Sequence, residues 1–335
     1  MKTKTRVHAK KLVEWAKDKP EVLVLSADLT SNTEVDLFRA AYPDRFLSMG
    51  MTEQNISSFA GGLAREGFVP FFHTFAIFIY RRAFDQISMS IAYPNMKVRL
   101  VGFLPGIVTP GGATHQAIED IALMRTLPNM TVVEPGDANE VAQVLDEIEN
   151  IDGPVYIRQL RGEVPVLFDE SEPMKFRRAR QLQEGSDITL FSSGICTEEA
   201  MRASKVLAER GISLQHMHVS THKPFNDPAI LAAAEKPKYG IITMENHTII
   251  GGLGSEVAEV MAENGVGKKL ARIGLQDTYA HGASRLYLMR THGLDALALV
   301  ERVEKMVGEK LNITEADLQE VRLNEVHSEA KAEAL

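Results

Sequence analysis

Short apolar runs separated by helix-length stretches dominate the pattern along this chain. The runs at 22–26, 46–49, 69–73, 98–103, 131–134 and 155–158 have the length and continuity of buried strands, and the stretches 53–65, 76–92, 116–126 and 138–149 have helical spacing. Strands alternating with helices predict a parallel sheet covered on both faces. From about residue 160 to 186 the periodicity lapses into Arg161-Gly162-Glu163-Val164-Pro165 and Asp169-Glu170-Ser171-Glu172-Pro173, which reads as a crossing between domains. Alternation resumes with runs at 188–192, 213–219, 239–243 and 270–273 and helical stretches at 197–210, 227–234 and 254–264. The fold class predicted is α/β, with two doubly wound domains at 1–165 and 186–310. A linker at 166–185 joins them, and a charged, apolar-poor tail follows at 311–335.

Composition agrees with two cores. The chain has 335 residues, 44% of them hydrophobic, and single cores stop growing near about 250 to 300 residues. A net charge of −8 offers nothing to a polyanion, so nucleic acid is not an expected partner. The single cysteine, Cys196, excludes an intrachain disulfide and a cysteine-rich zinc framework, and fits a reducing compartment. The basic start at 1–11 runs into the amphipathic Leu12-Val13-Glu14-Trp15-Ala16-Lys17-Asp18-Lys19 rather than an apolar signal core. No run approaches the roughly 18 apolar residues of a membrane span. A cytoplasmic protein without membrane association is therefore expected.

Candidate chemistry gathers where strands end and helices begin, the edge at which open α/β sheets bind ligands. Met51-Thr52-Glu53-Gln54-Asn55 opens a helix carrying small residues, Ser57, Ser58, Ala60, Gly61, Gly62 and Ala64. Taken alone, Glu53 is a first-turn acid meeting a helix dipole, and Phe75 and Phe78 are ordinary core phenylalanines. Taken together, a buried carboxylate and an aromatic wall are what holding and activating an aminopyrimidine ring requires. Gly111-Gly112-Ala113-Thr114-His115-Gln116 delivers His115 on a loop, either to shuttle a proton or to cap its own helix. Arg158 and Arg161 follow a strand and suit a phosphate or carboxylate, or else an ion pair with an interdomain glutamate.

Other residues weigh less. Cys196 opens a helix but has no histidine partner in view, and reads as a small buried residue. His216, His218, His222 and His247 lack metal-ligand spacing, so this chain is not expected to bind a metal. Gly251-Gly252-Leu253-Gly254 makes no dinucleotide fingerprint, and Glu245-Asn246-His247 before it reads as a tight strand-to-helix turn near a subunit contact.

Several motifs, in order, resemble the second half of transketolases: Ser26-Ala27-Asp28-Leu29-Thr30-Ser31-Asn32, Met49-Gly50-Met51-Thr52-Glu53-Gln54-Asn55, His73-Thr74-Phe75, Thr114-His115-Gln116 and Ile157-Arg158-Gln159. Lys223-Pro224-Phe225 and the stretch from Glu245 to Gly254 are similar to the carboxyl-terminal domain of that family. The resemblance spans roughly 21–307. It implies thiamine diphosphate as cofactor and ketol transfer between sugar phosphates. By it, Glu53 is the carboxylate that hydrogen-bonds the aminopyrimidine and promotes its imino tautomer, a role that a desolvated acid with a raised pKa suits. Phe75 and Phe78 are implied as the wall for the ring and His115 as the group contacting donor sugar. Ser31 and Arg158 are implied as holders of the sugar phosphate, and Asp28 as lying near the subunit interface or cofactor.

The resemblance is also incomplete. No Gly-Asp-Gly occurs, and Pro135-Gly136-Asp137-Ala138-Asn139 lacks the family spacing for diphosphate and Mg2+. The expectation is a split transketolase, with Mg2+ ligands brought by a separate amino-terminal, diphosphate-binding subunit in an α2β2 assembly. Against the family pattern, Gly111 replaces a substrate-contacting aspartate and Phe103 falls near a phosphate-contacting histidine. Loss of polar contacts and added room at Gly111 suggest an atypical sugar phosphate, for example a branched apulose phosphate. Competing readings are a 1-deoxy-xylulose phosphate synthase, a 2-oxo acid dehydrogenase β subunit, and a silent regulatory dimerisation subunit.

Overall fold

The computed structural model describes residues 2–320. The tail expected at 311–335 therefore lies mostly outside the described residues; inside it, α12 (Glu315–Glu320) packs near the second domain's helices.

The first sheet has seven strands. It is built from β2 (Val22–Ser26), β3 (Phe46–Ser48), β4 (Val69–Phe75), β5 (Arg99–Phe103), β6 (Thr131–Val133), β7 (Val155–Gln159) and β12 (Thr221–Lys223), in the order β12-β6-β7-β5-β4-β2-β3. All neighbours are parallel except β12, which runs antiparallel to β6. Every residue of β2, β5 and β7 is buried, the consequence of helices covering both faces. A short ribbon pairs β1 (Thr3–Thr5) with β8 (Glu163–Pro165).

The second sheet contains β9 (Arg180–Gln183), β10 (Ile188–Ser192), β11 (Leu214–His218), β13 (Gly240–Thr248) and β14 (Leu270–Leu275), in the order β14-β13-β10-β11-β9. β9 falls within the expected linker but forms the antiparallel edge of this sheet. β13 runs through Glu245-Asn246-His247, so these residues are strand rather than turn. The helices α10 (Arg285–Thr291) and α11 (Ala296–Val307) lie where the sequence pattern predicted none. Asp295 caps α11, its side chain accepting from the Ala298 amide.

Three helices matter most for the site. α3 (Glu53–Arg65) begins at the predicted acid. α4 (Ala76–Gln86) starts one residue after β4 ends and continues as a wide π-helical turn at Ile87–Ala92. α3 packs tightly on that turn, because Gly61 has no side chain: a Cβ there would lie 2.2 Å from the Ser90 carbonyl oxygen. By contrast, α5 (Asp120–Thr126) begins later than predicted. A 3-10 turn at Gly112–Thr114 comes first, and the buried Gln116 side chain donates to the Thr109 and His281 carbonyls.

Candidate active site

The carboxyl ends of the parallel strands bring Glu53, Phe75, Phe78 and His115 to one place. Glu53 occupies the first turn of α3, and burial leaves it 3% exposed. Phe75 ends β4 and Phe78 sits in the first turn of α4, so their rings stack 5.7 Å apart. His115 meets both edge-on, at 5.4 Å from Phe78 and 6.3 Å from Phe75. Its Nδ1 lies 2.9 Å from the Thr114 hydroxyl, which orients the ring. His115 thus faces the aromatic pair from a loop, and does not cap α5.

Two arginines border this group. Arg82 donates Nη1 to Glu53 Oε1 at 2.7 Å, and its guanidinium carbon stands 3.8 Å from the centre of the Phe78 ring. Arg161 donates to the Asn32 carbonyl at 2.7 Å and lies 5.7 Å from the Phe75 ring centre. It thereby links the loop carrying Ser31 to the aromatic wall. Ser31 and Asp28 are both exposed on that loop, Asp28 with a left-handed φ of 62°, which aspartate tolerates.

Arg158 is not at this site. The expectation that it holds a sugar phosphate fails on geometry, because its side chain is fully buried within β7 and already committed. Nε bonds Asp120 at 2.9 Å, Nη1 bonds Glu134, and Nη2 bonds the Ala117 and Asn246 carbonyls at 3.0 and 2.7 Å. Asp120 also accepts from the Tyr156 hydroxyl at 2.7 Å. This cluster fastens the two domains together, since Glu134 and Glu256 flank His222 at 3.1 and 2.9 Å. Burial alone would depress His222, but Glu256 and Glu134 outweigh it and hold the imidazole up at about 10. Burial pulls Glu134 the other way, upward, and Arg158 and His222 overcome it, keeping the carboxyl well below the usual range.

The room expected beside Gly111 is also taken. A Cβ there would lie 2.9 Å from both Cβ and Cγ of His115. Phe103 is fully buried, packed edge-on at 5.5 Å to His8. Asp137 is spent as the cap of α6 (Ala138–Ile148), accepting from the Glu140, Leu167 and Phe168 amides. Cys196 is buried, and that burial, with Glu134, Glu199 and Glu245 nearby, pushes its thiol up and away from reactivity. Among the described residues, no group of three or more His, Cys, Asp or Glu side chains could hold a metal ion.

The sequence reading missed Arg82, although it stands four residues after Phe78 and therefore on the same helical face. It also missed the approach of the second domain: the Gln116 side chain reaches the His281 carbonyl, and Arg81 lies 5.7 Å from the Tyr279 ring centre.

Comparison with known proteins identifies the two domains. Residues 3–166 match the transketolase pyrimidine binding domain and residues 177–297 the transketolase C-terminal domain. The chain belongs to the transketolase family. Similar to this transketolase-family chain are an uncharacterized transketolase family protein of Sinorhizobium fredii, 39% identical over 86% of the chain and 84% of the relative, and a 6-deoxy-6-sulfo-D-fructose transketolase subunit of Clostridium sp., 37% identical over 89% and 92%. A 1-deoxy-D-xylulose-5-phosphate synthase of Symbiobacterium thermophilum is 33% identical over 91% of the chain but only 47% of its own length. Among solved structures, a split gene transketolase described as an inactive beta4 tetramer superposes with a TM-score of 0.81, at 38% identity over 91% and 97% of the two chains. Transketolase from Leishmania mexicana shares the fold at a TM-score of 0.77, with 19% identity and 46% of its length covered. The family uses thiamine diphosphate, and, as in the split-gene protein, one polypeptide here carries the pyrimidine-binding and carboxyl-terminal domains. No described helix is long and apolar enough to cross a membrane.

Proposed function

We propose that this chain is the aminopyrimidine-holding subunit of a transketolase that transfers a two-carbon ketol unit between sugar phosphates, working with a diphosphate-binding partner subunit in an α2β2 assembly. One observation carries the reading: a carboxylate buried to 3% exposure stands beside a stacked phenylalanine pair, with a histidine edge-on to both rings. The site fits a flat, N–H-bearing group, because the Arg82 guanidinium already satisfies both requirements, lying on Phe78 and donating to Glu53. When bound, thiamine diphosphate supplies a nucleophilic carbon and an electron sink for two-carbon transfer. Glu53 would accept the ring N–H and hold the imino tautomer, while Phe75 and Phe78 pack the ring and exclude water. His115 would donate to a sugar oxygen or take its proton. Mg2+ would be held by the partner.

An exposed apolar surface supports a partner. Phe59, Met89 and Tyr93 flank the contact between α3 and the π-helical turn, with exposures of 40%, 57% and 77%, and such exposed apolar groups mark interaction sites. As substrate, an anionic sugar of unusual structure is the reading that Gly111 and Phe103 support, and the sulfosugar transketolase subunit among the relatives makes a sulfosugar a candidate beside apulose phosphate. Branching loses its steric argument, since His115 fills the space beside Gly111. The synthase relative favours one second reading, a pyruvate-decarboxylating enzyme. The test is to reconstitute the chain with its diphosphate-binding partner and assay ketol transfer and pyruvate consumption separately. Ketol transfer that falls at least about a hundredfold in Glu53→Gln supports the proposal, and full activity of that variant rejects it.

A further inference from the structure

Arg82 makes the two contacts that the proposed function assigns to the coenzyme ring. Its guanidinium carbon lies 3.8 Å from the Phe78 ring centre, a face-to-face stacking distance, and its Nη1 donates to Glu53 Oε1 at 2.7 Å. The carboxylate has lone pairs for two donors, but one phenyl face cannot stack on a guanidinium and an aminopyrimidine together. The geometry points to Arg82 as a built-in placeholder, a guanidinium that occupies the ring site of the cofactor-free subunit and swings out when thiamine diphosphate enters. The inference rests on the ring site being at Glu53 and Phe78.

The physical need for a placeholder follows from burial. A carboxylate at 3% exposure without a partner carries a large desolvation cost, and the free subunit has no coenzyme to relieve it. A charge-assisted hydrogen bond and a cation–π contact relieve it instead. The surroundings permit departure. The Arg82 side chain is 44% exposed and approaches from the solvent side. Its neighbour Arg81 is tied down, donating to Glu119 at 2.9 Å and to the Ala113 carbonyl at 3.0 Å. Directly after Arg82, Ala83 departs from helical geometry, with φ −126° and ψ 17°, so the backbone beside the placeholder is already bent. Asp85, three residues on and exposed, offers the released guanidinium another partner.

A latch that must open before binding raises the apparent dissociation constant by the reciprocal of the fraction of molecules in which it is open. The test is calorimetric titration of thiamine diphosphate with Mg2+ into the reconstituted two-subunit complex, comparing wild type with Arg82→Met, which removes both the donor to Glu53 and the cation held over Phe78. The expected result is tighter binding by about threefold to thirtyfold in Arg82→Met. Unchanged or weaker binding overturns the placeholder and makes Arg82 a retained partner of Glu53. A second readout uses no turnover: labelling of Arg82 by phenylglyoxal, followed by peptide mass spectrometry, should quicken on cofactor saturation of the wild-type complex, and slower labelling contradicts the idea. Phe78→Ala and Glu53→Gln in the same titration separate the two claims. If neither weakens binding, the ring site is elsewhere and the functional reading fails; if both weaken it while Arg82→Met does not tighten it, only the placeholder fails.

Discussion

At the scale of single residues, the site is set by contacts too close to admit ordinary side chains. Gly111 is the clearest instance. Its missing Cβ leaves the His115 ring where it can meet Phe78 edge-on, and a substituent would intrude to 2.9 Å of the histidine Cβ and Cγ. If His115 acts as proposed, Gly111→Ala and Gly111→Asp should therefore lower kcat/KM of the reconstituted complex alike, by about tenfold to a hundredfold, since small displacements of a reacting group cost that much. Steady-state kinetics on both variants decides between two causes. Equal losses mean displacement of His115, whereas a loss in Asp alone would mean that polarity at this position matters. Arg158 teaches the converse lesson. It sits in a strand buried on both faces, where no alternation of polar and apolar residues marks which way a side chain points. Arg161, just past the strand end, is instead one of the two arginines beside the aromatic wall.

At the scale of elements, α3 and the turn at Ile87–Ala92 show how adjacent glycines can have opposite worth. Replacing a mid-helix glycine by alanine ordinarily stabilises by about 1 kcal/mol. At Gly61 the Ser90 carbonyl blocks the new methyl, and overpacking costs about 1 to 3 kcal/mol, so Gly61→Ala should be net destabilising. At Gly62 nothing lies within 4 Å, and Gly62→Ala should stabilise by up to about 1 kcal/mol. Thermal unfolding of the two variants beside wild type measures both signs; a rise in Tm for Gly61→Ala would show that the helices separate freely. The start of α3 was legible in sequence because an acid opens it and small residues recur at helical spacing. The start of α5 was not, because Gln116 and Ala117 carry helix-compatible residues but spend their hydrogen bonds on Thr109, His281 and Gly106 instead. Arg82 escaped notice for a related reason: an arginine on a helix is usually a solvated residue, and only its register with Phe78 hinted otherwise.

At the scale of the whole molecule, the charged cluster around His222 governs how firmly the domains hold together as pH changes. A histidine raised from 6.5 to about 10 in the folded state contributes stability that is complete below its unfolded value and is lost as pH rises through about 10. Removing its charge leaves Glu134 with Arg158 and Glu256 with Arg125 as their remaining cations, so His222→Gln should be about 1 to 3 kcal/mol less stable than wild type at neutral pH. That gap should narrow as pH is raised towards 10, because the wild-type imidazole then loses its proton. Urea unfolding at both pH values checks this, and a constant gap would show that the charge on His222 is immaterial.

The strand β12, contributed by residues 221–223, closes the edge of a sheet otherwise made from the first 159 residues. The two halves are consequently stitched, not merely hinged. A polypeptide cut between them would leave Thr131–Val133 with bare amides and carbonyls, an invitation to foreign strands. Whatever grips the far side of this subunit thus pulls on the lamina that displays Glu53, so the buried carboxylate and the distal lobe share one mechanical frame.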